Sequence, residues 1–397
     1  MLNLYKPDFA NNNNLYFITA IILFGGFIAY YSLILYLHIG TDVQVHTGIA
    51  FSFFREDGNI TPNFLYYFLV GLLAAFSKYK EVYYMTSVVL LSAAITFKFL
   101  VNVYYLRKYL GTSTVTTTLL AIMLLFVYCL PGVNFFEAKQ FYLGQLAPNV
   151  WHNSTVIFLT PFSIILFFET ISFLNQKVNS TSRLFFIFIL ILLNAAIKPS
   201  FLFTIIPTVF TWLGYRFFKL SLKQSLQFIL PYAAGIFLIA LEYFFIYKLK
   251  THSTIISANE NSSVILSPFE TWNYFSANIP VAFITSCLFP IVYAVYTKGT
   301  LFKNQLVSFA CINFLFAILI WILFIETGFR RYHANFYWQV VIGNYLLYST
   351  MLIHFLQQVK SNTIKATAKK ILFGIFILHF LWGVIYWAKI IWYYGYS

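Results

Sequence analysis

The residues of this chain best suited to proton transfer are Asp42 and His46, four positions apart and directly after the first long apolar segment. Only 9% of the residues are charged, and a carboxylate beside lipid is costly, so each acid here needs a reason. On a helix, residues four apart share a face. An acid and an imidazole together at a membrane surface indicate acid–base chemistry. The alternative is a solvated loop that only ends the apolar segment.

A second candidate site lies between two apolar segments near the end of the chain. The segment from Glu326 to Trp338 contains Arg330, Arg331, His333 and Asn335. Arginine presents a planar set of N–H donors that matches phosphate oxygens, so the segment predicts an anionic ligand. An ion pair between Glu326 and Arg330 can coexist with that role. Glu326 can pair with only one of the two arginines, which leaves the other for the ligand.

Lys198 is the only charged residue between two short apolar segments, and Pro199 follows it. Proline lacks a backbone donor and predicts a kink or tight turn here. We expect this turn on the outer face, where a helix N-terminus and an ammonium group both favour phosphate. The common alternative is a lysine that extends its charge to the membrane surface.

A third polar segment, from Gln145 to Thr155, precedes another apolar run. It combines stacking and hydrogen-bonding side chains, namely Asn149, Trp151 and His152. Carbohydrates are bound by such sets, with an aromatic face against the sugar and amides at its hydroxyls. The alternative is an aromatic anchor in the lipid headgroup layer.

The composition is that of a membrane protein. The 397 residues are 60% hydrophobic and 22% aromatic, with a mean hydropathy of +0.78. We expect one all-α, polytopic transmembrane domain over residues 1–397. The net charge of +14 is spread over many short loops, which is a topology signal and excludes nucleic acid. Three cysteines without paired spacing make a disulfide framework or a zinc site unexpected.

The apolar segments predict about eleven membrane spans. Phe64–Phe76 has only 13 residues, short of the roughly 20 that cross a bilayer, so we expect it to lie at the interface. The predicted spans are Leu15–Leu37, Tyr84–Tyr105, Val115–Pro131, Asn153–Leu174, Leu184–Ile197, Ser200–Tyr215, Gln227–Lys248, Asn278–Thr297, Leu306–Ile325, Phe336–Leu356 and Ile371–Tyr393.

This count places the basic loops on the cytoplasmic side together with the N-terminus, and the C-terminus outside. If Phe64–Phe76 crossed as well, the basic loops would all lie outside, against the positive-inside tendency. Most acidic residues and the long loops, including residues 38–83, then face outward. We therefore expect function on the extracytoplasmic face of the plasma membrane.

The arrangement resembles the GT-C class of integral membrane glycosyltransferases. The resemblance is carried by the first outer loop, with Thr41-Asp42-Val43-Gln44-Val45-His46 followed by Gly58-Asn59-Ile60-Thr61-Pro62 and an aromatic helix. It covers residues 15–215 as a core module, with residues 227–393 as additional C-terminal helices. One departure is that His46, rather than a second acid, accompanies Asp42.

The resemblance implies transfer of a sugar from a polyprenyl-phosphate donor to a glycan, lipid or protein acceptor. Asp42 is then the general base of an inverting reaction, with His46 and His152 orienting groups. The leaving phosphate would be held by Arg330, Arg331 and Lys198. No cofactor is required, although Glu56 and Asp57 could hold a divalent cation with Asp42.

Two other functions remain open at this point. A flippase or exporter of lipid-linked oligosaccharides would use the same arginines and aromatics, but should line a central path with mid-span charges such as Lys98, Glu169 and Glu242. A polymerase or ligase of lipid-linked glycans would share the chemistry and transfer a whole oligosaccharide.

Overall fold

The computed structural model describes residues 13–56, 62–132, 141–175, 181–216, 222–249 and 263–392. These ranges are almost entirely helical, as the sequence predicts. In chain order the elements are α1 (Asn13–Tyr36), α2 (Asp42–Arg55), α3 (Leu65–Leu73), α4 (Lys80–Leu110), α5 (Thr114–Phe126), α6 (Phe141–Gly144), α7 (Ser154–Leu174), α8 (Thr181–Ile197), α9 (Leu202–Arg216), α10 (Leu222–Tyr243), β1 (Val264–Leu266), α11 (Glu270–Phe275), α12 (Ile279–Ser286), α13 (Leu288–Tyr296), α14 (Gln305–Leu323), β2 (Phe324–Glu326), α15 (Trp338–Lys360) and α16 (Ala366–Trp392).

The lengths of these helices are those of a multi-pass membrane protein. Seven described helices are long and apolar enough to cross a bilayer: α1, α4, α7, α10, α14, α15 and α16. The pair α12 and α13, bent by 72°, would make an eighth span. Three further predicted spans correspond to α5, α8 and α9, which are apolar but shorter. Eleven crossings would require all three to cross, and that count stays a prediction.

The break between α8 and α9 lies where Pro199 predicts it. Lys198 has an extended backbone, with φ −172° and ψ 122°, and Pro199 begins a single 3-10 turn before α9. The proline ring disfavours a helical conformation at the preceding residue, which explains why α8 ends at Ile197. Lys198 is thereby placed at a junction between helices, outside both of them.

The first loop begins with a capped helix. The Thr41 hydroxyl accepts from the backbone N–H of Val43, and the Gln44 side chain accepts from the Thr41 N–H, so Asp42 becomes the first residue of α2. Helix α3 has nine residues, too few to cross. It packs on α2, α4 and α8. Its Tyr66 and Tyr67 are buried within the protein.

The centre of the bundle is α15, which is buried along almost its whole length. It packs against α4, α7, α9, α13 and α14. Helices from both predicted modules therefore surround one core, because α4 and α7 belong to the first and α13 and α14 to the second. The loop that carries Arg330 leads directly into this helix.

A two-stranded antiparallel ribbon was not predicted from the sequence. Strand β1 pairs with β2, with Val264 opposite Glu326. Because β2 continues directly from α14, the ribbon fixes the direction in which the chain leaves that helix. It holds Glu326, which is only 3% exposed, at the beginning of the arginine segment.

Candidate functional site

A cavity of about 610 Å³ lies at the end of the bundle where α8, α10 and α14 finish and α9 begins. Its apolar lining comes from α9, α10, α14 and β2, with Phe203, Ile206, Ile236, Ile239, Ile320 and Phe324. Its polar lining includes His46, Lys198, Glu242, Tyr247, Arg330 and Asn335. The cavity therefore brings together four of the residues selected from the sequence, namely His46, Lys198, Arg330 and Asn335.

Asp42 is fixed at the edge of this site by Asn153. The Asn153 Nδ2 donates to Asp42 Oδ2 at 2.8 Å. The Oδ1 of the same asparagine accepts from the backbone N–H of Val156 at 3.1 Å and from the Thr155 hydroxyl at 3.0 Å, so Asn153 also caps α7. Asp42 is partly exposed and does not line the cavity itself. Its charge acts on His46 and Lys198, and both of these residues line the cavity.

His46 lines the cavity as a neutral imidazole. Its Nδ1 lies 2.8 Å from the Tyr67 hydroxyl, a bond that either tautomer can make. Burial lowers the pKa of His46 to about 4, and Lys198 adds to this, while the charge of Asp42 opposes it. Burial also raises the pKa of Tyr67, so its phenol keeps its proton. The pair suits a hydrogen-bonding and orienting role at neutral pH rather than that of a cationic acid.

Lys198 lies between the acids of the site. Its Nζ donates to the Thr155 hydroxyl at 3.3 Å and lies 5.0 Å from the centre of the Trp338 ring. Burial lowers the pKa of Lys198 to about 8 and Arg330 contributes, whereas the carboxylates of Asp42, Glu242 and Glu326 act in the opposite direction. The amine is therefore mainly an ammonium ion at neutral pH.

Arg330 faces the cavity while it is paired with Glu326. Its Nε lies 2.9 Å from Glu326 Oε1. The carboxylate also accepts from the Tyr247 hydroxyl and from the Asn335 amide, so both of its oxygens are hydrogen-bonded. The predicted Glu326–Arg330 pair is confirmed. Only Nε of Arg330 is bonded within the described residues, which leaves both terminal NH2 groups able to contact a ligand.

Arg331 and His333 do not line the cavity, which corrects their predicted role. The Nε of Arg331 lies 2.6 Å from Glu270 Oε1, on the exposed surface beside α11. The expectation that one arginine would lack a carboxylate is wrong, because Glu270 supplies a second one. His333 is exposed and packs edge-on against Phe329.

The segment before α7 folds into the core, so the predicted sugar contacts of Asn149, Trp151 and His152 are corrected as well. Asn149 accepts from the Lys98 ammonium at 2.5 Å and donates to two backbone carbonyls. Trp151 stacks on Phe126. His152 is 1% exposed, and its ring lies 4.3 Å from that of Tyr142. All three side chains satisfy interior contacts away from the cavity wall.

The acids suggested for a cation do not converge in the described part of the chain. Glu56 accepts from the hydroxyl of Ser52, one turn earlier in the same helix. Asp57 lies outside the described residues. Within those residues, no group of three His, Cys, Asp or Glu side chains has the geometry to hold a metal ion.

Sequence reasoning missed three cavity residues. Tyr67 and Tyr247 carry no distinguishing pattern in a chain with 30 tyrosines. Glu242 did carry a signal, as a lone carboxylate in an apolar helix, but it was grouped with Lys98 and Glu169. Those two lie elsewhere: Lys98 is bonded to Asn149, and Glu169 pairs with Arg183 at 3.2 Å.

Comparison with models of protein families, with curated proteins and with solved structures finds no match for this chain. The resemblance to GT-C glycosyltransferases therefore stays a prediction. Function is inferred from the cavity and from the residues around it.

Proposed function

We propose that this chain is a membrane glycosyltransferase that moves a sugar from a polyprenyl-phosphate donor to an acceptor on the extracytoplasmic face. One observation carries the proposal. A cavity of ligand size is lined both by apolar side chains and by Lys198 and Arg330, and it includes His46 of the Asp42 and His46 pair. Cavities of roughly 300–1,000 Å³ are typical of small-molecule sites.

The apolar and the polar lining residues suit the two parts of a lipid phosphate. The isoleucine and phenylalanine side chains from α9, α10 and α14 match an isoprenoid chain. Lys198 supplies an ammonium ion, and Arg330 supplies terminal N–H donors, and both favour phosphate oxygens. Glu326 keeps the guanidinium of Arg330 in place by binding its Nε.

Asp42 acts as the general base in the proposed reaction. It removes the proton from the acceptor hydroxyl as that oxygen bonds to the anomeric carbon, and the bond from this carbon to the phosphate oxygen breaks with inversion. The leaving polyprenyl phosphate gains the negative charge, which Lys198 and Arg330 stabilise. Asn153 fixes one oxygen of Asp42, while neutral His46, held by Tyr67, orients the acceptor.

Flippase or exporter activity is the alternative from another class, and transfer of a whole oligosaccharide is a variant of the first. A transport path would need charges along the middle of the bundle. Of the three charges considered for it, only Glu242 reaches the cavity, since Lys98 and Glu169 have partners elsewhere. This distribution favours transfer over transport.

The deciding experiment uses the purified protein in nanodiscs, where no gradient exists across the membrane. The protein is incubated with a panel of polyprenyl-phosphate sugars and acceptor glycans, and free polyprenyl phosphate is measured. We expect turnover that falls at least about 10²-fold in Asp42→Asn, which keeps size but removes the base. His46→Ala should cost less.

Glu56→Gln is the matched control, because Glu56 is an exposed acid at the other end of the same helix. It should leave turnover unchanged. Wild-type rates in Asp42→Asn would exclude the acid–base role, and absence of turnover with every donor would exclude the transferase itself.

A further inference from the structure

Glu242 is a buried carboxyl group that lines the cavity and has no hydrogen-bonding partner among the residues that the structure describes. It lies near the end of α10, is 9% exposed and lines the cavity. Within the described residues it makes no hydrogen bond and no ion pair closer than 4.0 Å. Its position is set by a helix that is otherwise apolar over this stretch.

The cations that act on Glu242 make their hydrogen bonds in the described residues to other acceptors. Lys198 and Arg330 both act on it electrostatically, but Lys198 donates to Thr155 and the Nε of Arg330 binds Glu326. Tyr247, five residues further along the same helical segment, donates its hydroxyl to Glu326 as well. The two cations act on Glu242 through space without supplying it a hydrogen bond.

A buried carboxyl without a donor is expensive, and an apolar residue would cost less at this place in a membrane helix. Since no side chain in the described ranges donates to it, the contents of the cavity are the source of a donor that the structure offers. Because two cations already act on the carboxyl, a neutral hydroxyl complements it better than a further positive charge. Sugars supply such hydroxyls.

We propose that Glu242 accepts a hydrogen bond from a sugar hydroxyl of the lipid-linked substrate and thereby selects which sugar is accepted. This assignment rests on the function proposed above. Lys198 interacts with both Asp42 and Glu242, so a phosphate bound at Lys198 brings its sugar close to both acids. Asp42 serves the reaction, and Glu242 serves recognition of the sugar.

Binding measurements in nanodiscs test the assignment without requiring turnover. The probes are undecaprenyl phosphate, undecaprenyl-phosphate hexoses and analogues of the hexoses that lack single hydroxyls. We expect Glu242→Leu to weaken binding of the preferred hexose donor about tenfold or more, since a hydrogen bond to a buried carboxyl group is lost. Glu242→Gln keeps an oxygen that accepts a hydrogen bond, so its affinity for the hexose donor should lie between those of the wild type and Glu242→Leu. Undecaprenyl phosphate should bind all three proteins equally.

One deoxy analogue should identify the contacted hydroxyl, because it should bind wild type and Glu242→Leu with the same affinity. Thermal unfolding adds an independent readout. Removal of a buried carboxyl without a donor should leave the melting temperature unchanged or raise it, whereas a structural role would lower it. Glu81→Gln, at an exposed acid of α4, is the control and should change neither quantity.

Two results would overturn the assignment. Equal loss of binding for undecaprenyl phosphate and its hexoses would show that Glu242 supports the phosphate or the fold, and unchanged binding in Glu242→Leu would show that it contacts no sugar. Loss of sugar-dependent binding in a protein that never turns over would support the assignment while it excludes the transferase function.

Discussion

Asn153 donates its Nδ2 hydrogen to Asp42 Oδ2 at 2.8 Å, and this bond joins residues 111 positions apart. The same side chain caps α7 through its Oδ1. One asparagine thus links the beginning of α2 to the beginning of α7. The orientation of the proposed base depends on a residue that a sequence reader would assign to a helix cap alone.

Asn153→Asp separates these two roles. Aspartate caps a helix as well as asparagine does, so the fold should be retained, but it places a second carboxylate against Asp42. We expect a loss of turnover of roughly tenfold or more, because one of the two acids must then hold a proton. The rate of donor turnover and the melting temperature should be measured together.

Asn304→Asp is the matched control, since Asn304 caps α14 at the opposite end of that helix from β2 and the cavity. It should leave both quantities unchanged. If Asn153→Asp keeps the wild-type rate, the bond to Asp42 has no part in the reaction.

Arg330 and Arg331 should respond differently to the same change. Arg330→Lys keeps the charge at the cavity but loses the planar set of donors, so the KM for the lipid-phosphate donor should rise about tenfold with little change for the acceptor. Arg331→Lys changes a surface pair with Glu270 and should be nearly silent. Steady-state kinetics for donor and acceptor should be measured for both variants. A wild-type KM for the donor in Arg330→Lys would show that Arg330 does not bind the phosphate.

Lys198 should impose an upper pH limit on donor recognition. It binds phosphate as an ammonium ion, and burial lowers its pKa to about 8, so the ammonium is lost as the pH rises through that value. The kcat/KM for the donor, which reports the free enzyme, should therefore decline above about pH 8. Below that pH the ammonium form dominates, so the kcat/KM for the donor should not change with pH on account of Lys198.

The variant Lys198→Arg keeps its charge over the whole range. Its kcat/KM should start lower, because the side chain is longer, and should not decline through the same range. Lys78→Arg, at an exposed lysine beside α4, should keep the wild-type profile. If the kcat/KM of Lys198→Arg declines with pH as that of the wild type does, the decline is caused by the titration of another group.

The proposed orientation is tested by labelling. Cysteines at Lys78 and Lys80 should react with an impermeant thiol reagent in intact cells, because α3 is too short to cross and the loop stays on the outer side. A cysteine at Lys108 should react only after permeabilisation. The opposite labelling would place the cavity on the cytoplasmic side and would contradict an extracytoplasmic reaction.

The sequence by itself determined the local features of this protein. Apolar length predicts the long helices, and Pro199 predicts the break after Lys198. Each of these depends on interactions within a few residues, such as backbone hydrogen bonds and the sterics of proline, so each can be inferred from the chain order.

Only the tertiary structure decided which polar side chains face the cavity. Asn149 looked like a sugar contact, yet it binds Lys98, 51 positions away. Arg331 looked free, yet it meets Glu270, 61 positions away. Glu242 looked like an isolated charge, yet it lines the same cavity as Lys198 and Arg330, which both act on it electrostatically. The physical reason is that a polar group buried among apolar helices pairs with a partner that the packing brings within hydrogen-bond distance. The packing of helices that are distant in the chain cannot be inferred from the local sequence.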